Sequence, residues 1–209
     1  MKILFYGDSI TDMNRSRTVD KEAFGYGVGY VQHLAGELIY KDANKYEILD
    51  RGIGGNRIVD LYARIKADVW NHKPDVLSIL IGVNDVWHEI DHSNGVELDR
   101  FDRIYRMLID DTLKVLPNLK IMLLEPFVLE GSATQEKMDQ FYAVYDYAKV
   151  VKKIAEDYNL VFVPLQEAFN KKAKESSPVH FLYDGVHPDA AGARLIANEW
   201  LKGFAKIDK

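Results

Sequence analysis

Cysteine is absent from the 209-residue chain. Disulfides, thiolate zinc sites and cysteine nucleophiles are therefore excluded. Long apolar runs are missing too: no stretch approaches the roughly 20 residues a membrane helix requires, so no membrane association is expected. Positive charge is scarce and scattered, with 27 Lys and Arg against 32 Asp and Glu and a formal net charge of −5. Phosphate binding needs clustered cations, so nucleic acid is not an expected partner. The N-terminus lacks the extended apolar segment and small-residue cleavage site of a secretory signal, which predicts a cytoplasmic location.

What is present is a well-mixed chain, 47% hydrophobic and 28% charged, as expected for one globular domain spanning 1–209. Short apolar runs fall at Ile3–Tyr6, Tyr46–Leu49, Val76–Ile81, Ile121–Leu124 and Val161–Val163. Each is bounded by Gly, Pro, Asn or Asp, the pattern of strands buried on both faces. The segments between them repeat at three and four residues, for example Val31, Leu34, Ala35 and Leu38, or Phe101, Ile104, Tyr105 and Leu108. The spacing predicts an α/β fold, a three-layer α/β/α sandwich around a five-stranded parallel sheet. Asn84–Val96 and Glu125–Gln135 read as long loops of the kind that carry binding function.

In such sheets ligands sit beyond the carboxyl ends of the strands. Gly7-Asp8-Ser9 follows the first run, Gly54-Gly55-Asn56 the second and Gly82-Val83-Asn84-Asp85 the third; Asp184-Gly185-Val186-His187 lies near the end. Together they supply the parts of acyl transfer. Ser9 is a hydroxyl nucleophile, His187 the base that takes its proton, and Asp184 the carboxylate that orients the imidazole. The backbone N–H groups of Ser9 and Gly55 and the side-chain amide of Asn84 can receive an oxyanion. Each segment has a structural reading as a turn, cap or tight connection; their joint occurrence on one rim favours catalysis. No cofactor or metal is called for.

These blocks resemble the GDSL, or SGNH, hydrolases, a family of esterases and acylhydrolases, in order and spacing over nearly the whole chain. Gly7-Asp8-Ser9-Ile10 is similar to the first block, Gly55 to the second-block glycine, Asn84 to the asparagine of Gly-x-Asn-Asp, and Asp184 with His187 to the closing Asp-x-x-His. Gly54-Gly55-Asn56 stands where many members carry Ser-Gly-Asp, so Gly54 or Gly55 could be the donor; the resemblance favours Gly55. It implies a flavodoxin-like fold, with Ser9, Asp184 and His187 catalytic and Ser9, Gly55 and Asn84 as the oxyanion hole. A narrower likeness, to intracellular acetyl-xylooligosaccharide esterases, rests on Gly7–Asp12, Ile81–Trp87, Pro126-Phe127, Glu130-Gly131 and Met138-Asp139-Gln140. It implies an acetylated sugar as the small-molecule ester substrate, and leaves room for a homo-oligomer.

Asp12, Trp87, Phe127 and Tyr183 are candidates for substrate contact. For Asp12 a solvated loop is the favoured reading, whereas the aromatic residues equally suit packing. Alternative readings are a broad short-chain esterase, a lysophospholipase or a thioesterase, and outside enzymes a catalytically silent carbohydrate-binding protein. His88-Glu89-Ile90-Asp91-His92 spells H-E-x-x-H, the metalloprotease pattern. That chemistry needs a helix, and these residues are expected in a loop closed by Ser93-Asn94-Gly95. Gly-x-Ser-x-Gly, the nucleophile elbow of α/β-hydrolases, is absent.

Overall fold

A computed structural model describes residues 1–20 and 23–208. Five strands, β1 (Lys2–Gly7), β2 (Glu47–Gly52), β3 (Val76–Leu80), β4 (Lys120–Leu124) and β5 (Val161–Val163), form one parallel sheet in the order β2-β1-β3-β4-β5. The helices are α1 (Ser9–Asp12), α2 (Tyr30–Lys41), α3 (Ile58–Asp68), α4 (Val83–His92) and α5 (Leu98–Val115), then α6 (Met138–Phe141), α7 (Val144–Asp157), α8 (Gln166–Glu175) and α9 (Ala190–Phe204). The five expected strands are all present, each within a few residues of its predicted bounds.

Alternation along β1 makes the two helical layers visible. Phe5 turns to one face, where its ring meets Tyr30 of α2 at 5.7 Å and Trp200 of α9 at 5.3 Å. Tyr6 turns to the other, where its hydroxyl donates to the Leu61 carbonyl of α3 at 2.6 Å. Trp200 reaches back across the first layer to donate its indole N–H to Ser78 of β3 at 2.9 Å. Because both faces are covered, every residue of β3 is buried, which is why these strands appear as continuous apolar runs.

The sheet grows to one side of β1 through α2 and to the other through α3. The strand order therefore reverses between β1 and β3, the crevice where such sheets bind ligands. Ser9 follows β1 and Asn84 lies just past β3, so the two stand on either side of that crevice.

The segment Asn84–Val96 departs from expectation. It is largely helix α4, with Gly82 (φ +133°) before its first residue and Ser93 in a left-handed conformation (φ +49°) after its last. Val83, Val86, Trp87 and Ile90 recur at i, i+3, i+4 and i+7, a helical stripe; reading Asn84-Asp85 as a turn hid it. Residues 125–134 do lack regular structure, and they brace the segment that carries Asp184 and His187. The Leu129 N–H donates to the Gly185 carbonyl (2.9 Å) and the Ala133 N–H to the Asp184 carbonyl (3.0 Å). Gly131 makes this approach feasible, since a Cβ there would lie 2.2 Å from the Gly185 nitrogen.

Candidate active site

Ser9 is the first residue of α1, a single turn whose N-terminus is capped by Asp8: its Oδ1 accepts from the Ile10 N–H at 2.9 Å. At that position the Ser9 N–H has no helical acceptor. Across the crevice, the segment from Asp184 to His187 forms a tight turn in which Gly185 takes φ +100°. Asp184 Oδ1 accepts from the backbone N–H groups of Val186 (2.9 Å) and His187 (2.8 Å). Its Oδ2 accepts from His187 Nδ1 at 2.7 Å. With Nδ1 carrying the proton, Nε2 is the acceptor, and it lies 2.8 Å from Ser9 Oγ. Hydroxyl, imidazole and carboxylate thus stand in series, although Ser9 and His187 are 178 residues apart.

The electrostatics suit proton transfer. Burial by itself would lower the His187 pKa, but the hydrogen bond and charge of Asp184, with the charge of Asp8 behind them, raise it above the ordinary 6.5. Burial also opposes the Asp184 charge, and the donors from His187 and Val186 overcome it, holding that carboxyl below its usual range. Asp8 is fully buried, with one oxygen lacking a partner. Burial pushes its pKa up to about 7, against the pull of the Ile10 N–H and of a charged His187.

An open cleft of about 340 Å³ adjoins the pair, lined by Ser9, Gly55, Asn84, Trp87 and His88, with Asp91, His92 and His187. Asn84 Nδ2 donates one hydrogen to the Asn56 carbonyl at 3.1 Å and keeps its second for the cleft. The Gly54 N–H is taken by Asp12 Oδ2 at 3.0 Å. Among the described residues the Gly55 N–H has no acceptor. The two second-block glycines are thereby distinguished: only Gly55 has a donor to offer. Replacing Asn84 by alanine is expected to lower kcat by about 10²–10³-fold with little change in KM, measured by steady-state kinetics on an activated acetate ester.

The four candidates for substrate contact separate. Trp87 and Tyr183 border the histidine, with ring centroids 5.9 Å and 5.7 Å from the imidazole, and Tyr183 is stacked on it at 15°. Trp87 is anchored by its indole N–H on Asp91 at 2.7 Å. Phe127 is fully buried, its ring 4.4 Å from that of Phe169, and belongs to the core rather than the cleft. Asp12 is neither solvated nor directed at substrate: it is buried, and its Oδ2 serves Gly54 and Arg17.

The H-E-x-x-H segment lies on α4, not in a loop, and His88 and His92 share a face with ring centroids 5.8 Å apart. Glu89 is turned to another task, accepting the Gly95 N–H at 3.0 Å to close the connection to α5. Among the described residues no three His, Asp or Glu side chains are grouped to hold a metal ion. Sequence reasoning missed two contributors. His88 faces Gly55 across the cleft, and Asp85 accepts the Ile58 N–H at 3.0 Å, fixing the start of α3. The helical stripe of α4 was the signal for the first, since 84, 87, 88 and 91 fall on one face.

Comparison with known proteins finds relatives over nearly the whole chain. A model of the GDSL-like lipase/acylhydrolase family matches residues 5–195. An acetylxylan esterase of Geobacillus stearothermophilus is 38% identical over 96% of this chain and 92% of its own. A solved structure of that enzyme has a TM-score of 0.86 at 37% identity, covering 97% of this chain and 93% of its own. Two further structures are of its catalytic mutants, one with a serine and one with an aspartate changed to alanine. A Parabacteroides merdae protein designated a GDSL-like lipase reaches a TM-score of 0.92 at 38% identity, covering 98% of this chain and 95% of its own.

Proposed function

Because the chain belongs to the GDSL-like lipase/acylhydrolase family, we propose that it is a serine esterase that removes acetyl groups from the hydroxyls of xylo-oligosaccharides. The observation that carries the mechanism is the series Ser9 Oγ–His187 Nε2 (2.8 Å) and His187 Nδ1–Asp184 Oδ2 (2.7 Å), at a cleft bordered by unengaged N–H donors.

Ser9 Oγ attacks the ester carbonyl as its proton passes to His187 Nε2. The charge on the carbonyl oxygen is received by the N–H groups of Ser9 and Gly55 and the free amide hydrogen of Asn84. Asp184, hydrogen-bonded to Nδ1, stabilises the imidazolium formed at this stage. Collapse breaks the bond to the sugar oxygen, which leaves with the proton from Nε2. Water, activated by the same nitrogen, then attacks the acyl-serine, and acetate departs with Ser9 Oγ reprotonated.

Three observations support an acetylated sugar. The cleft lies near the lower end of the roughly 300–1,000 Å³ of small-molecule sites. Trp87 and Tyr183 offer aromatic faces beside the histidine that protonates the leaving group. The Geobacillus relative is an acetyl-xylooligosaccharide esterase. Acetate release from acetylated xylo-oligosaccharides is expected, and kcat/KM on nitrophenyl esters should fall at least about tenfold from acetyl to octanoyl. A preference for octanoyl would transfer the assignment to lipid or thioester hydrolysis.

A further inference from the structure

The Gly55 N–H belongs to an unusually free piece of backbone. Ile53-Gly54-Gly55-Asn56 is a tight turn: the Asn56 N–H donates to the Ile53 carbonyl at 3.2 Å, and Gly55 takes φ +77°. This is the pattern of a type II turn, in which the central peptide carries the N–H of the third residue. Here that peptide joins two glycines, which adopt its flipped orientation as readily as the observed one. A flip would carry the Gly55 N–H out of the cleft. No side chain of the turn's own central residues can prevent it.

What is held from outside is the placement of the turn as a whole, and the hold comes from the segment that bears the nucleophile. Asp12 closes α1, three residues after Ser9, and its Oδ2 accepts the Gly54 N–H at 3.0 Å. The same oxygen is ion-paired with Arg17 Nη2 at 2.5 Å. Arg17 Nη1 and Arg15 Nε both donate to the Gly52 carbonyl, at 3.1 Å and 2.9 Å, holding the entry to the turn. The two chains also pass very close, since a Cβ on Gly52 would lie 2.2 Å from the Asp12 nitrogen. Nucleophile and Gly54 acceptor therefore sit on one rigid unit of four residues.

We propose that Asp12 is a positioning residue for the reaction: by accepting the Gly54 N–H it anchors the Ile53–Gly54 peptide, and with it the whole turn, against the Ser9 segment, and so holds the Gly55 N–H within reach of the oxyanion formed on attack by Ser9. The inference rests on the esterase reading above, in which Gly55 is an oxyanion donor. Asp12 touches neither substrate nor reacting atoms; it acts through Gly54.

The test compares Asp12→Ala, Asp12→Leu and Asp12→Asn with the intact enzyme and with Ser9→Ala. Leucine fills the aspartate's volume without an acceptor, and asparagine keeps a carbonyl oxygen for the Gly54 N–H. Alanine and leucine are expected to lower kcat about 10–100-fold with KM within about threefold of the intact enzyme, as for loss of an interaction made in the transition state. Affinity for a boronic acid that mimics the tetrahedral intermediate should fall by the same factor as kcat. Asparagine should recover most of both. An unchanged kcat in the leucine variant, a rise in KM with kcat retained, or an asparagine variant as impaired as leucine would each overturn the proposal. Ser9→Ala separates the two levels. An active Ser9→Ala enzyme defeats the esterase mechanism itself, whereas an inactive one beside a normal Asp12→Leu enzyme defeats only the role of Asp12.

Discussion

Replacing Ser9 by alanine is expected to lower kcat by about 10⁴-fold or more, while the thermal unfolding midpoint stays near that of the intact protein. The size follows from the chemistry. Without the hydroxyl there is no acyl-enzyme, and His187 can only assist direct attack by water at a carbonyl still held by the oxyanion donors. The tolerance of the fold follows from the surroundings. α1 is capped by Asp8 through the Ile10 N–H, and its remaining N–H bonds are made by the backbone, so the Ser9 hydroxyl contributes nothing to the turn. Activity on an acetyl ester, measured beside circular-dichroism melting, reads both outcomes. A variant retaining a tenth of the rate would show that another group attacks.

Asp184→Asn is expected to act in two ways at once. Asp184 overcomes the effect of burial on His187 and keeps its pKa above 6.5. The imidazole must be neutral to take the serine proton, so kcat/KM of the intact enzyme should rise with pH through that raised value and level off above it. With asparagine in place the charge is gone and burial prevails, so the acid limb should move to lower pH. The plateau should nevertheless drop by about 10³–10⁴-fold, because an amide can present a hydrogen to Nδ1, favour the wrong tautomer and leave the imidazolium unsupported. A pH–rate profile with an unmoved acid limb, or a plateau within tenfold of the intact enzyme, would show that Asp184 does not act through His187.

Much of this arrangement was legible in the chain because its causes are local. Strands covered on both faces are mostly apolar, so Val76–Leu80, whose one polar residue Ser78 is satisfied by Trp200, announces itself as a run. Parallel pairing then obliges each strand to end on the same rim, which is why Ser9, Asn84 and His187 could be brought together from positions far apart. What escaped depends on direction and distance. Phe127 follows β4 at the rim, and nothing in its neighbourhood says that its ring turns inward to Phe169. Asp12 looks like a loop carboxylate until its partner at Gly54, 42 residues away, is known. α4 is a different case: its apolar stripe was present, but Asn84-Asp85 has a strong turn signature. In the fold, Asp85 is instead buried and spends that capping tendency on α3. Burial pushes its pKa up to about 8, despite the hydrogen bond from Ile58.

The central claim is that Ser9 forms a covalent bond to the acyl carbon with His187 as its base. Intact-protein mass spectrometry after treatment with a nitrophenyl dialkyl phosphate tests this most directly, since such esters stall at the phosphorylated nucleophile. The account predicts one adduct per chain, mapped by peptide fragmentation to Ser9, formed at a rate that follows the deprotonation of His187 and absent from Ser9→Ala. Complete loss of activity with the label on any other residue, or equal labelling of the Ser9→Ala protein, would contradict it.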